Sequence, residues 1–393
     1  MVLYGLGTTI GAGIYALVGE LAGIAGYFAP LSFLIASFMA TLTAMSFAEL
    51  SGRYPQAAGA ALYIQEGFAS KKLSTLTGLL VIVAGLVSAS ALVNGFVGYL
   101  HQFIDLDRII IIICTVGLLG GIAAWGISTS VSLAASITVI EIGGLLLIIA
   151  VSLSGTTVDL ETLSLTLIPS ADFNQWSVIF AGALLAFYAF IGFEDMVDVA
   201  EEIKDVKRNL PLAILLTLAI TTVLYMLIMT TAVLAVSPEQ LAQTEAPLAY
   251  IYQHFTGNNP TLISVIGLLA IINGALIQMI MASRVMYGLG SRGQLPEILS
   301  YVHPKSQTPL LATLIATITV LVLALVGQLS TLAEITSLIM LCIFSMINLA
   351  LLKIKKRIPT TQDSINFPNW IPLTGFIASS GFLIFVLIDF MIL

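Results

Sequence analysis

Residues 7–15 read Gly7-Thr8-Thr9-Ile10-Gly11-Ala12-Gly13-Ile14-Tyr15, "GTTIGAGIY", inside an apolar segment that runs from residue 1 to about residue 26. Glycine is a poor residue for a helix interior. Yet Gly5, Gly7, Gly11 and Gly13 fall close together here. Two physical readings compete. In the first, Gly7-xxx-Gly11 and Gly19-xxx-Gly23 are the small-residue motif by which membrane helices approach one another. In the second, the helix unwinds between about Thr8 and Gly13, and a second half-helix begins there. Its free backbone N–H groups and positive dipole end would suit a carboxylate. Packing alone asks for glycine at every fourth residue and leaves Gly13, Thr8 and Thr9 unexplained.

The remainder of the chain supplies the setting. Charged residues make up 9% and hydrophobic residues 59%, with a mean hydropathy of +1.06; soluble domains carry roughly 25% charge. This is the composition of a polytopic membrane protein. In lipid the backbone must satisfy its own hydrogen bonds, so the fold class is all-α. The alternating ten-residue pattern of an outer-membrane barrel is absent. Spans are expected at 1–26, 29–51, 73–104, 109–126, 131–154, 175–200, 210–236, 259–289, 309–327, 331–352 and 370–390, eleven in all. With the N-terminus in the cytoplasm, only Arg108 of the 14 Lys and Arg residues falls on the outer side, as the positive-inside rule requires. The chain therefore reads as a multi-pass protein of the cell (cytoplasmic or plasma) membrane, with the lipid bilayer as its surroundings.

An internal correspondence follows from lengths and breaks. The third members of spans 1–5 and of spans 6–10, 73–104 and 259–289, are each far longer than the ~20 residues a bilayer core needs. The first member of each set is interrupted. In span 6 the run Ala186-Phe-Tyr-Ala-Phe-Ile-Gly-Phe-Glu-Asp195 meets Gly192 and then two acids. Five spans is an odd number, so the second set runs inverted to the first. Paired broken helices in inverted halves point to a secondary-transporter core with its site at the midplane. The expected organisation is a first repeat at 1–154, an extracellular loop at 155–174, a second repeat at 175–352, and a cytoplasmic loop with the eleventh span at 353–393.

Few residues can carry chemistry. Glu194 follows the break of span 6 directly, at a depth where an ionisable group is a functional candidate. It reads as a proton carrier, a gating hydrogen-bond partner or a helix cap. Glu141, the most isolated charge, lies about eleven residues into span 5. It reads as a protonated acid hydrogen-bonded in the bundle, or as a coupling site for a proton or cation. Asn94 and Asn273 read as interhelical hydrogen-bond partners. Cys114 and Cys342 show neither a disulfide framework nor a metal spacing. No Ser/His/Asp grouping, metal cluster or phosphate loop suggests an enzyme, and no basic, aromatic-interleaved surface suggests nucleic acid. No metal and no cofactor are expected beyond a coupling ion.

Four stretches resemble the amino acid–polyamine–organocation superfamily of transporters. They are "GLGTTIGAGIYAL" (5–17), "FAELSGRYPQAAGAALYIQEGF" (47–68), "AFYAFIGFEDMVDVAEEIKDVKRNLPLAI" (186–214) and "ASRVMYGLGSRGQLPEILSYVHPKSQTP" (282–309). The resemblance implies a leucine-transporter-type five-plus-five inverted repeat with helices 1 and 6 broken. It implies an amino acid or amine substrate whose carboxylate meets backbone N–H groups around Gly11, Ala12 and Gly13, beside Ile14. The ammonium would meet carbonyls near Thr9 and around Tyr188 and Ile191, next to Gly192. Tyr188, Phe190 and Phe193 would line or gate the pocket, and Glu194 matches a gating or proton-sensing position. The chain departs from the family in three ways. It begins within helix 1, leaving a first half-helix of about seven residues. It has eleven spans where twelve are usual. It carries Glu141 near the place where some relatives have a lysine on helix 5. The expected function is secondary active transport of a neutral amino acid by alternating access, coupled to a proton more than to sodium. The alternative is an amino acid sensor that binds without flux. The sequence does not fix the oligomeric state.

Overall fold

A computed structural model describes residues 1–10, 13–56, 59–126, 131–155, 168–170, 172–360 and 365–392, and among these there are helices and no strand. Most of the expected loop at 155–174 lies outside the described residues. The first span consists of α1 (Val2–Ile10) and α2 (Gly13–Ala25), followed by α3 (Ala29–Arg53). A short α4 (Gly59–Phe68) separates α3 from α5 (Lys71–Leu100), and α6 (Arg108–Trp125) and α7 (Val131–Gly155) complete the first set. The sixth span is α8 (Phe173–Tyr188) continued by a 3-10 segment, Phe193–Glu202. Then come α9 (Val206–Ala235), two short helices α10 (Pro238–Ala242) and α11 (Pro247–Thr256), α12 (Thr261–Ser291), α13 (Leu310–Val326), α14 (Leu329–Arg357) and α15 (Trp370–Ile392).

Nine described stretches are long and apolar enough to cross a membrane. One of them, Gly13–Arg53, is 41 residues long. It turns at Gly26, whose φ of +55° ends α2, so it crosses twice. Leu310–Val326 is shorter but apolar throughout. Together these give the eleven expected crossings. Local signals start and stop the helices. Ser70 caps α5, Asp107 caps α6 and Asp172 caps α8, each by accepting a backbone N–H. Gly126 and Gly257 end α6 and α11 in the left-handed conformation. Helices α4, α10 and α11 are too short to register as spans in hydropathy.

The packing pairs four helices of the first set with their counterparts in the second. Helix α5 packs on α12, α3 on α9, α6 on α13 and α2 on α8. A five-plus-five repeat related by a pseudo-two-fold produces this pairing. The long helices α5 and α12, of 30 and 31 residues, meet through small residues. A Cβ on Gly78 would lie 3.0 Å from Leu289, and one on Gly85 would lie 2.8 Å from Met281. The Gly19-xxx-Gly23 motif has a different partner from the one its spacing suggests. A Cβ at Gly19 would be 2.7 Å from the Leu241 carbonyl, and one at Gly23 would be 3.0 Å from Ala242. That face of α2 receives the loop containing α10 rather than a second spanning helix. The same loop reaches α5, where His101 Nδ1 and Glu245 Oε2 are 2.9 Å apart.

At the other end of the bundle a buried charge cluster ties α3 to α14. Lys355 Nζ donates to both oxygens of Glu49 at 2.9 Å. Arg53 donates to Glu49 Oε1 from Nε at 3.0 Å and from a terminal nitrogen at 2.6 Å. Phe367 N donates to Glu49 Oε2 at 2.9 Å, and Lys355 also donates to the Phe367 carbonyl. One turn deeper, Asn348 accepts from Ser46 at 2.6 Å and donates to Thr43 at 2.9 Å. Every polar group of this seam has a partner, which is the condition for burying it.

Candidate functional site

The turn of the sixth span lies against Thr8, Thr9 and Gly13 of the first. Helix α1 ends at Ile10 and α2 begins at Gly13; Gly11 and Ala12 lie outside the described residues. Helix α8 ends at Tyr188, and the chain turns at Gly192 with φ +126°. That φ belongs to glycine, and a Cβ there would collide with the Thr8 carbonyl. Thr8 Oγ1 donates toward the Gly192 carbonyl, 3.0 Å away, and lies equally near that of Gly5. Glu194 Oε2 accepts from Gly192 N at 2.9 Å. A Cβ on Gly13 would be 2.9 Å from Ala189 Cα. The described glycines of this stretch serve packing: Gly5 faces Met196 and Thr217, and Gly7 faces Thr138.

Tyr225, on α9, joins the two interruptions. Its hydroxyl lies 2.8 Å from the Thr9 carbonyl, 3.4 Å from that of Ile10 and 3.0 Å from that of Ala189. A phenol has a single proton to donate. It can serve one of these three carbonyls at a time.

Two cavities adjoin this point. The smaller, of about 30 Å³, is lined by Thr8, Thr9 and Gly13 of the first span, Ser88 and Leu92 of α5, Tyr188 and Ile191 of the sixth span, and Gly274, Ile277 and Gln278 of α12. No charged side chain is among them. The larger, of about 80 Å³, shares Ser88, Ile191 and Gln278 with it and extends toward α4. Glu194, Asp195 and Asp198 line this second space, with no basic residue among its lining groups. Tyr188 is fixed in the wall by Ser88, whose Oγ lies 2.9 Å from its hydroxyl.

Of the residues singled out from sequence, Thr9, Gly13, Tyr188 and Ile191 line the smaller cavity, Gly192 makes the turn behind it, and Glu194 lines the larger one. Three others face elsewhere. Ile14 is fully buried in the core. Phe190 packs against Phe33 and Tyr225, and Phe193 packs against Phe47 and Phe344. Neither ring lines a cavity. Glu141 lies outside both cavities, with its own carbonyl accepting from Tyr15 at 2.7 Å. Asn94 does bridge helices, donating to Ala324 O and accepting from Arg108. The sequence reading missed the α5 and α12 lining and Tyr225. Gln278, an isolated amide in an apolar span, was the available signal.

With that geometry in view, the likeness to known proteins can be weighed. The family model described as "Amino acid permease" matches residues 2–391. The chain belongs to this family. The permease is 26% identical over 392 residues to "Cationic amino acid transporter 3, mitochondrial" of Arabidopsis thaliana, covering 94% of this chain and 63% of the relative. It is 28% identical over 417 residues to "Cationic amino acid transporter 2, vacuolar" of the same plant, covering 97% and 64%. It is 26% identical over 388 residues to "Branched-chain amino acid permease BcaP" of Bacillus subtilis (strain 168), covering 94% and 82%. The permease thus spans a little under two thirds of the length of the two plant relatives.

Proposed function

We propose that this permease is a secondary active transporter of amino acids, not an enzyme, working by alternating access in a cell membrane with its N-terminus in the cytoplasm. The observation that carries the reading is the turn of the sixth span meeting Thr8, Thr9 and Gly13 of the first around an uncharged cavity. Carbonyl ends from α1 and α8 attract an ammonium group. The start of α2 at Gly13 offers N–H donors and the positive end of a helix dipole to a carboxylate. These are complementary to the zwitterion every α-amino acid carries. Gly11 and Ala12 would add donors to the carboxylate side, and Thr9, Tyr188 and Ile191 would enclose the substrate. The two interrupted halves, 1–154 and 175–352, would rock against each other around this point.

A neutral side chain suits the uncharged lining of the smaller cavity. A cationic side chain is the second reading, favoured by Glu194, Asp195 and Asp198 along the adjoining space and by the names of the two plant relatives. For the driving ion we propose a proton before sodium, with Glu141 and Glu194 as the candidate coupling or gating groups.

The test is uptake of a radiolabelled amino acid panel into proteoliposomes, with and without imposed pH and sodium gradients. Saturable uptake of one side-chain class is the expected result. Binding without flux would support the sensor alternative, and neither binding nor flux would remove the reading. Gly13→Leu should abolish uptake while the protein still inserts, because its side chain would displace α2 from Ala189. Equal loss of folded protein would mean that Gly13 serves packing alone.

A further inference from the structure

Building on the transport reading, we propose that Glu141 is the group that binds and releases the coupling proton, and that Glu194 instead fixes the turn of the sixth span. The two carboxyls are placed differently. Glu194 accepts a backbone hydrogen bond from Gly192 and lines a cavity. Its charge already has a use at the turn. Glu141 is 0% exposed, and neither carboxyl oxygen has a hydrogen-bond partner among the described residues. An ionised carboxyl with no donor and no counter-charge is unstable in a membrane interior. With the bundle closed around it, Glu141 holds its proton.

The half-helix α1 decides whether that closure persists. It packs on α7 and α9. At Gly7 an added Cβ would collide with the Thr138 side chain of α7, one turn before Glu141. Beyond the interruption, Tyr15 of α2 holds the Glu141 carbonyl. The first span therefore covers α7 on both sides of the acid. Lifting α1 from α7 admits water to Glu141. The same movement opens the smaller cavity, because Thr8 and Thr9 form part of its wall. In the lifted state the carboxylic acid O–H bond breaks and the proton passes to water. The carboxylate must regain a proton before α1 can reseat on it. Protonation thus favours the closed population and ionisation the open one.

The groups facing Glu141 leave it to act alone. Helix α1 has no charged side chain. The phenol of Tyr15 on α2 donates to the Glu141 carbonyl, and Tyr225 stands on α9. Lys207 and Arg208 sit at the start of α9, Arg284 in the last two turns of α12 and His254 in the last turn of α11. None is paired with Glu141 among the described residues.

Proteoliposomes loaded with the amino acid that the panel identifies test the assignment. Wild-type protein should accumulate substrate under an inward pH gradient. Glu141→Gln should lose that accumulation by at least about tenfold, while residual exchange continues at a rate independent of pH. Glu194→Gln should slow transport but keep its response to the gradient. In parallel, infrared spectra of the purified protein should show the carbonyl stretch of a protonated, buried carboxylic acid, and Glu141→Gln should lack it. Gradient-driven accumulation in Glu141→Gln equal to wild type overturns the assignment, as does an unchanged carbonyl band. Accumulation that follows sodium and ignores pH also overturns it. If wild-type protein moves no amino acid, the transport reading fails, and the infrared band still reports on the proton of Glu141.

Discussion

Glu49 on α3 and Glu141 on α7 are both 0% exposed, and they are equipped in opposite ways. Glu49 receives hydrogen bonds from Lys355, Arg53 and the Phe367 backbone. Glu141 receives none on its carboxyl among the described residues. The paired acid belongs to architecture: its partners come from α3, α14 and the segment leading to α15, and it holds them in one arrangement. The unpaired acid has nothing to hold, which suits a group whose charge must change. Burial alone is therefore a poor guide to function here; the presence or absence of partners separates the two roles.

The comparison can be broken from either side. Lys355→Met should cost about 1.5–3 kcal/mol, the worth of hydrogen bonds to a charged group, because Arg53 and Phe367 N still serve Glu49; the loss is read as a fall in the thermal midpoint of detergent-purified protein. The double variant Lys355→Met/Glu49→Met should recover part of that loss. If the two losses simply add, the pair is not coupled and Glu49 is not the hub described. Glu141→Gln should change the same midpoint by less than about 1 kcal/mol, since no made hydrogen bond is lost. A penalty as large as that of Lys355→Met would show that Glu141 is structural after all.

His101 and Glu245 are the milder, exposed version of a charge pair. The hydrogen bond to Glu245 holds the His101 imidazole above its ordinary value, helped by the Leu106 carbonyl and by Asp105. A raised value means that the pair stabilises fully below about pH 6.5, the ordinary histidine value. That contribution is lost as pH climbs through the raised value. Amide exchange in residues 238–256 should quicken over that alkaline side, and His101→Gln should flatten the dependence. This is the smallest expected effect, because the Glu245 side chain is 64% exposed and solvent screens the pair.

Much of the fold was readable because it depends on local quantities. Hydropathy located the apolar helices, and Gly192 marked a turn that needs a positive φ. The site was only half readable. Thr9, Gly13, Tyr188 and Ile191 lie at the interruptions, so the features that betray the break also identify them. Ser88, Leu92 and Gln278 contribute because α5 and α12 happen to pass there, and nothing local in an apolar helix states which face meets a cavity. Phe190 and Phe193 were misleading for the same reason. Large rings beside a break can line a cavity or pack behind it, and the positions of Phe33, Phe47 and Phe344 far away in sequence decide between the two. Gly19-xxx-Gly23 carried the spacing of a helix contact and received a loop, since a flat glycine face accepts either.

Tyr225 has a mechanical consequence. A hydroxyl within reach of three carbonyls, two on the first span and one on the sixth, is a swivel with interchangeable seats. As one interrupted helix tilts past the other, the phenolic proton can pass from one seat to the next without an interval in which it has none. A tilt between the first and sixth spans at this point therefore costs little in hydrogen bonding.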